Sequence, residues 1–304
     1  MIWLIGNKGM LGTEIEALLK ERVGGHDPNS SEFGIVSQNV HDYIATDQEV
    51  DITNPGRLQE FAAGKSLTWI INCAAYTAVD RAEDEPECAF KINADGPRNL
   101  AQVAAAQGAK LIHISTDYVF DGAKDAPYEE TDLPNPLSAY AVGKYRGEQN
   151  IAEVLAAHFI IRSAWMYGEN GQNFVHTMLR LFREKEEVSV VADQWGSPTY
   201  APDLAAAIMT IIAADSTAYG IYHFTNEGRI NWYQFACAVY DLARKNGLLE
   251  KTIKISPIST AQYPTKARRP RYAYLSKEKI CSTFNIKLIP WQDSLAAFLS
   301  RDMS

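Results

Sequence analysis

Met1-Ile-Trp-Leu-Ile5 runs directly into Gly6-Asn7-Lys8-Gly9-Met10-Leu11-Gly12, and a helical pattern follows from Thr13 to about Glu21. An apolar strand, a glycine turn and a helix in that order give the context that a dinucleotide-binding fingerprint requires. The glycines are spaced G-x-x-G-x-x-G, and each has its own task. Gly6 makes the turn, Gly9 lets the backbone approach a pyrophosphate, and Gly12 lets the helix pack closely on the strand. Unpaired N–H groups and the positive dipole end at the helix start would face the phosphates. A glycine-rich turn with no ligand is the alternative.

Working outward, a polar, turn-rich stretch from Gly24 to Gln38 reads as an insertion or long loop. His41-Asp-Tyr-Ile-Ala-Thr46 then reads as a second strand with Asp47 at its end. A carboxylate there accepts hydrogen bonds from an adenosine ribose 2′-OH and repels a 2′-phosphate, which favours NADH over NADPH. Asp51 and Ile52 would lie near the adenine, or Asp51-Ile-Thr53 would cap a helix over Arg57–Ala63. Trp69–Ala75 is a third, buried strand, and its small residues Cys73, Ala74 and Ala75, before Tyr76, leave room for a cofactor. A helix from about Pro86 to Gly108 carries Asn93 and returns to the strand Lys110-Leu-Ile-His-Ile114.

Strand and helix alternate in this way to the middle of the chain, which predicts an α/β protein with a Rossmann-like, doubly wound parallel sheet. Ligands of such sheets sit at the carboxyl ends of the strands. Further strands are expected at Phe159–Ser163, Val188–Ala192 and Gly220–Thr225, and helices at Asn173–Arg183, Ala201–Ala214 and Trp232–Asn246. Residues 1–163 thus form the dinucleotide-binding domain, with segments near 188–215 and 250–275 returning to it. Residues 164–304 form mainly a smaller, interleaved α/β lobe for the substrate.

The 304 residues suffice for a large core, and 46 % hydrophobic with 22 % charged residues is ordinary for a soluble globular protein. A net charge of −8 argues against nucleic acid as a partner, which wants a basic surface. Cys73, Cys88, Cys237 and Cys281 are scattered, as in a reduced, cytoplasmic protein, with Cys73 expected in the core. No apolar run reaches the length of a membrane span, and Met1–Ile5 is too short for a signal peptide. The histidines at 26, 41, 113, 158, 176 and 223 lack metal-ligand spacing and read as structural or exposed.

The chemistry is carried by Ser115-Thr116-Asp117-Tyr118, which closes the fourth strand, and by Tyr140-Ala-Val-Gly-Lys144. Four residues apart on a helix, the phenol and the ammonium share a face. A tyrosine titrates near pH 10, so bringing it to working pH requires about 4 kcal/mol. One positive charge about 4 Å away, at an effective dielectric near 20, supplies about that much. Lys144, helped by an oxidised nicotinamide, would make Tyr140 a usable general acid for a carbonyl oxygen. A bare Y-x-x-x-K is also compatible with a core tyrosine beside an unrelated lysine. The upstream Ser115 and Thr116, with the amino-terminal glycines, argue for chemistry. Lys266, Arg268, Arg269 and Arg271 would hold a diphosphate or decorate a solvated loop.

Together these residues resemble the extended short-chain dehydrogenase/reductase superfamily and, within it, the dTDP-4-dehydrorhamnose reductase family. The likeness runs through Gly6–Gly12, Asn72-Cys-Ala-Ala-Tyr-Thr-Ala-Val-Asp-Arg-Ala-Glu83 and Ser115-Thr-Asp-Tyr-Val-Phe-Asp-Gly122. It continues in Tyr140–Lys144, Arg162-Ser-Ala-Trp165, Asn173-Phe174, Asp193-Gln-Trp-Gly-Ser-Pro-Thr199 and Ala267-Arg-Arg-Pro270. The resemblance implies hydride transfer from NADPH or NADH to C4 of dTDP-4-dehydro-L-rhamnose. Thr116 would bind the keto oxygen, Tyr140 would protonate it, and Lys144 would tune Tyr140 and hold the nicotinamide ribose. Val79, Tyr118 and Trp165 would line the sugar pocket, unless Trp165 is only packing, and Asn173, Arg268 and Arg269 would face the nucleotide. Some family members bind Mg²⁺ through glutamates at a dimer interface. Glu14 matches one of these, but Pro202 stands where another is expected, so no metal site is expected and the chain is a monomer or homodimer. The same fold also accommodates another nucleotide-linked 4-keto-6-deoxy sugar, or a non-catalytic role like that of the regulatory subunits of methionine adenosyltransferase.

Overall fold

The computed structural model describes residues 1–24 and 42–301. The expected insertion, apart from Gly24, and the start of the second strand at His41 lie outside the described residues. In chain order the first half comprises β1 (Ile2–Ile5), α1 (Met10–Gly24), β2 (Tyr43–Thr46), α2 (Pro55–Ala62) and β3 (Trp69–Asn72). It continues with α3 (Pro86–Phe90), α4 (Gly96–Gln107), β4 (Lys110–Thr116), α5 (Ala139–Val154) and β5 (His158–Ser163). The second half holds β6 (Met166–Tyr167), α6 (Phe174–Glu184), β7 (Glu187–Val191), β8 (Trp195–Gly196), β9 (Thr199–Tyr200) and α7 (Ala201–Ala214). It closes with β10 (Gly220–His223), β11 (Ile230–Asn231), α8 (Trp232–Lys245), β12 (Lys254–Ile258), α9 (Glu278–Phe284) and α10 (Trp291–Arg301).

Six strands form one sheet in the order β10-β5-β4-β3-β1-β2, and every pairing is parallel. Both faces are covered, which is why β1 and β3 are buried at every position. One face packs on α1, α7 and α9 through residues such as Ile15, Ile208 and Phe284. The other packs on α2, α4 and α5 through Leu58, Leu100 and Ile151. A separate core around Phe182, Phe235 and Phe298 joins α6, α8 and α10 in the second lobe. There β7 pairs with β12, not with the main sheet, while β10 rejoins the sheet beside β5. Among the described residues no helix is long and apolar enough to cross a membrane.

The single helix expected from Pro86 to Gly108 is interrupted. Lys91–Asp95 forms a π-helical turn between α3 and α4. Its Asn93 points inward, with Oδ1 accepting from the Tyr76 N–H at 2.9 Å and Nδ2 donating to the Tyr76 carbonyl at 2.9 Å. Helix α5 lies tightly on that turn, since a Cβ at Gly147 would come within 2.2 Å of the Asn93 carbonyl oxygen. Two glycines on α5, Gly143 and Gly147, therefore bring the helix close and fix where Tyr140 and Lys144 emerge.

Candidate active site

The carboxyl ends of β1, β3, β4 and β5 open into one cleft of about 940 Å³. Its floor is the glycine turn. Gly6 has φ +79°, and a Cβ there would meet the Ala74 amide nitrogen at 2.8 Å. A Cβ at Gly12 would come within 2.1 Å of the Gly6 carbonyl oxygen, so helix and strand touch as the spacing predicts. Gly9 differs. A Cβ there would meet only the Gly6 carbonyl oxygen, at 3.3 Å, so its free side faces the cleft and not the protein. Such a cradle fits a phosphate group of a dinucleotide.

Most residues expected at the cofactor line this cleft. Gly6, Gly9, Met10, Leu11 and Gly12 do so from the turn, and Asp47, Asp51 and Ile52 from the end of β2 onward. Cys73, Ala74 and Ala75 line it after β3. Cys73 is therefore half-buried, packing on the core of one sheet face while it also lines the cleft. Asp51 both lines the cleft and accepts from the Thr53 N–H at 2.8 Å, while the cap of α2 is Asn54. Four expected residues are not part of that lining. Asn7 donates to Glu16 at 2.9 Å, Lys8 leans toward Glu49 at 3.9 Å, Tyr76 donates to Glu85 at 2.9 Å, and Asn93 braces the Tyr76 backbone.

At the far wall, Ser115, Thr116, Tyr118, Tyr140 and Lys144 come together with Val79 and Trp165. The Thr116 hydroxyl donates to Asp117 Oδ1 at 3.1 Å and accepts from the Tyr118 N–H at 3.2 Å, beside the Tyr140 phenol. Burial pushes the Tyr140 phenol up to about 12, the neighbouring Thr116 hydroxyl pulls it down in part, and the Asp117 carboxylate pushes it up again. Lys144 turns toward the strand instead. Its Nζ donates to the Ile114 carbonyl at 2.6 Å and lies 3.2 Å from His113 Nε2, and burial lowers it to about 8. The spacing correctly puts the two side chains on one helix face, but the expected lowering of Tyr140 by Lys144 is not what this arrangement gives.

Several site residues escape the sequence reading. Asp117 is 2 % exposed, its Oδ2 has no hydrogen-bond partner among the described residues, and burial pushes it up to about 7. Its place inside Ser115–Tyr118 was the available signal. His113, read as structural or exposed, is fully buried on β4 and touches Lys144. Trp232, at the start of α8, lines the cleft and stacks on Trp165 at 3.7 Å with 16° between the rings. Trp165 itself holds φ +48°, a left-handed conformation that a bulky side chain adopts only when its surroundings impose it. No local pattern announces the Trp165–Trp232 pair, because its partners are 67 residues apart in sequence.

Three expected substrate residues stand off the cleft lining. Asn173 is the N-cap of α6, donating to the Gly168 carbonyl at 2.8 Å and accepting from the His176 N–H at 3.0 Å. Arg269 grips Asp80 with two bonds, Nη2 to Oδ2 at 2.7 Å and Nη1 to Oδ1 at 3.2 Å, and Nη1 also donates to the Ala267 carbonyl at 3.3 Å. Those bonds raise Arg269 against its burial and hold the Asp80 carboxyl below its ordinary range. Arg268 is exposed and lines a second, smaller pocket of about 350 Å³ with Lys266 and Tyr263.

A parallel sheet with a glycine cradle at its first strand and a Thr/Tyr/Lys set at its fourth is the architecture of a short-chain dehydrogenase/reductase. Comparison with known proteins narrows this. A family model described as the RmlD substrate binding domain matches residues 1–303. The dTDP-4-dehydrorhamnose reductase of Aggregatibacter actinomycetemcomitans is 40 % identical over 283 residues, which span 91 % of this chain and 96 % of that protein. A crystal structure of the Bacillus anthracis dTDP-4-dehydrorhamnose reductase in complex with NADP superposes with a TM-score of 0.86 at 35 % identity, covering 99 % of this chain and 98 % of that one. The corresponding Clostridium acetobutylicum structure gives 0.88 at 36 % identity, covering 100 % and 99 %. The chain belongs to the dTDP-4-dehydrorhamnose reductase family.

Proposed function

We propose that this protein reduces the C4 keto group of dTDP-4-dehydro-L-rhamnose to give dTDP-L-rhamnose, with NADPH or NADH as reductant, in the cytoplasm. The single observation that carries the reading is the Thr116, Tyr140 and Lys144 set facing the glycine cradle across one cleft. A reduced nicotinamide bound there supplies the hydride. The chain's own residues do the rest. Thr116 holds the keto oxygen, and Tyr140 gives it a proton as the alkoxide forms. Ser115 braces the strand end through Glu148, and the backbone around Gly9 receives phosphate. Lys144 holds ribose hydroxyls and, once turned toward them, its charge favours proton release by Tyr140.

Val79, Tyr118 and Trp165 line the sugar side, with Trp232 backing Trp165. Arg269, fixed by Asp80, and the exposed Arg268 serve the nucleotide end. Residues 1–163 with the strand β10 would carry the dinucleotide, and most of residues 164–304 the sugar nucleotide. The acidic Asp47 favours a ribose hydroxyl over a 2′-phosphate, while the exposed Lys8, 3.9 Å from Glu49, is the cation that would receive such a phosphate.

The test is turnover. The purified protein, mixed with dTDP-4-dehydro-L-rhamnose and NADPH or NADH, is expected to consume the nicotinamide absorbance band in proportion to dTDP-L-rhamnose formed. Absence of turnover with both cofactors would remove the proposal. Faster turnover of a UDP-linked 4-keto sugar would move it to another substrate.

A further inference from the structure

Behind Lys144 lies a line of four polar groups with no contact to solvent at its centre. The Ala74 N–H donates to Asn72 Oδ1 at 3.0 Å. Asn72 Nδ2 lies 3.0 Å from His113 Nδ1, and His113 Nε2 lies 3.2 Å from Lys144 Nζ. Asn72 and His113 are register partners on β3 and β4, 1 % and 0 % exposed, so water cannot correct a mismatch between them.

An amide and a neutral imidazole each accept on one side and donate on the other, so each passes on the direction that it receives. The Ala74 N–H can only donate, which fixes Oδ1 toward it and the NH₂ toward His113. His113 Nδ1 must then accept, and its proton sits on Nε2. A charged ammonium has donors only, so it would set N–H against N–H. Flipping Asn72 moves the same clash to Ala74, and an imidazolium clashes at both ends.

We infer that Asn72 and His113 are positioning residues that set the proton count of Lys144, holding it against the sheet as an uncharged amine that accepts from His113 Nε2–H and donates to the Ile114 carbonyl. Burial already weakens the ammonium, while Glu148 on the same helix and Cys73 after β3 favour it. The Asn72–His113 pair tips that balance. The charge that acts on Tyr140 then appears only when Nζ leaves Nε2 for hydroxyl acceptors in the cleft, so ligand binding and proton uptake are linked. The functional meaning of this switch rests on the reductase reading; the tautomer does not.

The experiment is nitrogen-15 NMR of the histidine rings in the whole protein without ligand. The His113 signal is assigned by its loss in His113→Gln, or by correlation to the β4 backbone should that variant not fold. Wild type is expected to show His113 as the neutral Nε2–H tautomer from pH 6 to 8. Asn72→Asp supplies acceptors to both neighbours and should reverse the ring to Nδ1–H. Calorimetric titration with NADPH in buffers of different ionisation enthalpy, at a pH near 7.5, should find close to one proton taken up by wild type and close to none by Asn72→Asp. A wild-type Nδ1–H ring, or an imidazolium, overturns the inference whatever the variants do. A wild-type Nε2–H ring in a protein that neither binds NADPH nor turns over would retain it while removing the reductase reading.

Discussion

Lys144 and Glu148 stand one turn apart on α5, both 2 % exposed, and the clusters around them are built in opposite ways. Glu148 is matched. Its two carboxylate oxygens receive Nε and Nη2 of Arg162 at 2.9 and 2.6 Å, and Ser115 donates to it at 2.5 Å. Even Nη1 of Arg162, which has no hydrogen-bond partner among the described residues, belongs to a guanidinium lying 5.0 Å from the face of Phe120. Around Lys144 the groups are buried without full compensation. Tyr140 is pushed up to about 12, Asp117 up to about 7 and Lys144 down to about 8, each chiefly by burial. The first cluster holds the sheet to α5. The second keeps proton-bearing groups away from their ordinary state, which is what an acid–base site needs and what stability alone would remove.

The largest effect should come from the mismatched cluster, on turnover. Tyr140→Phe keeps the ring and removes the proton. Its kcat is expected to fall by about a thousandfold, within the range that general acid catalysis contributes. Its melting temperature and its NADPH affinity should stay near those of wild type. Wild-type turnover in this variant would take the proton donor away from Tyr140.

The matched cluster should fail in the other currency. Arg162→Met leaves the Glu148 carboxylate buried with only Ser115, and breaking such a pair from one side costs about 3 kcal/mol or more. Chemical denaturation should show the loss, and adding Glu148→Leu should restore much of it, because the uncompensated charge goes with its partner. A single variant as stable as wild type would mean that the pair contributes no more than an apolar contact.

How much of this contrast was legible in the sequence follows from the range of each signal. Apolar runs report local burial, so β1, β3, β4 and β5 were found within a few residues, and the Gly6–Gly12 turn gave the cradle. The Ser115–Tyr118 and Tyr140–Lys144 spacings gave the right wall of the cleft. What periodicity does not carry is partnership across the chain. The strand β12 and the helices α9 and α10 have no counterpart among the elements that periodicity predicts, and β12 finds its partner in β7, far back in the sequence. For the same reason the sequence pairs neither Arg162 with Glu148 nor Asp80 with Arg269. The π-helical turn at Lys91–Asp95 was missed because a one-residue change of helical period leaves the apolar pattern almost intact. Lys144 shows the limit most directly: spacing gives a shared face, but the rotamer decides whether the ammonium meets Tyr140 or the Ile114 carbonyl.

The smallest and most specific effect concerns Asp117, where the sign of the pH dependence separates the two kinds of cluster. Its carboxyl has an ordinary value of 3.8 and is raised to about 7 in the folded protein, by burial first, against hydrogen bonds from Thr116 and the backbone that lower it. Between those two pH values the folded state binds a proton that the unfolded chain has released. Stability therefore falls as pH rises through that interval, and the deficit is complete above about 7. Asp117→Asn removes the titration while keeping the shape. The variant should match wild type near pH 4 and exceed its stability by about 1–2 kcal/mol at pH 8, a figure well below the full shift because the carboxylate borders the open cleft. Denaturant midpoints measured at the two pH values provide the check. A gain of equal size at both would mean that packing and not charge is responsible, and a loss at pH 8 would place Asp117 with Glu148, among the groups whose charge the fold was built to hold.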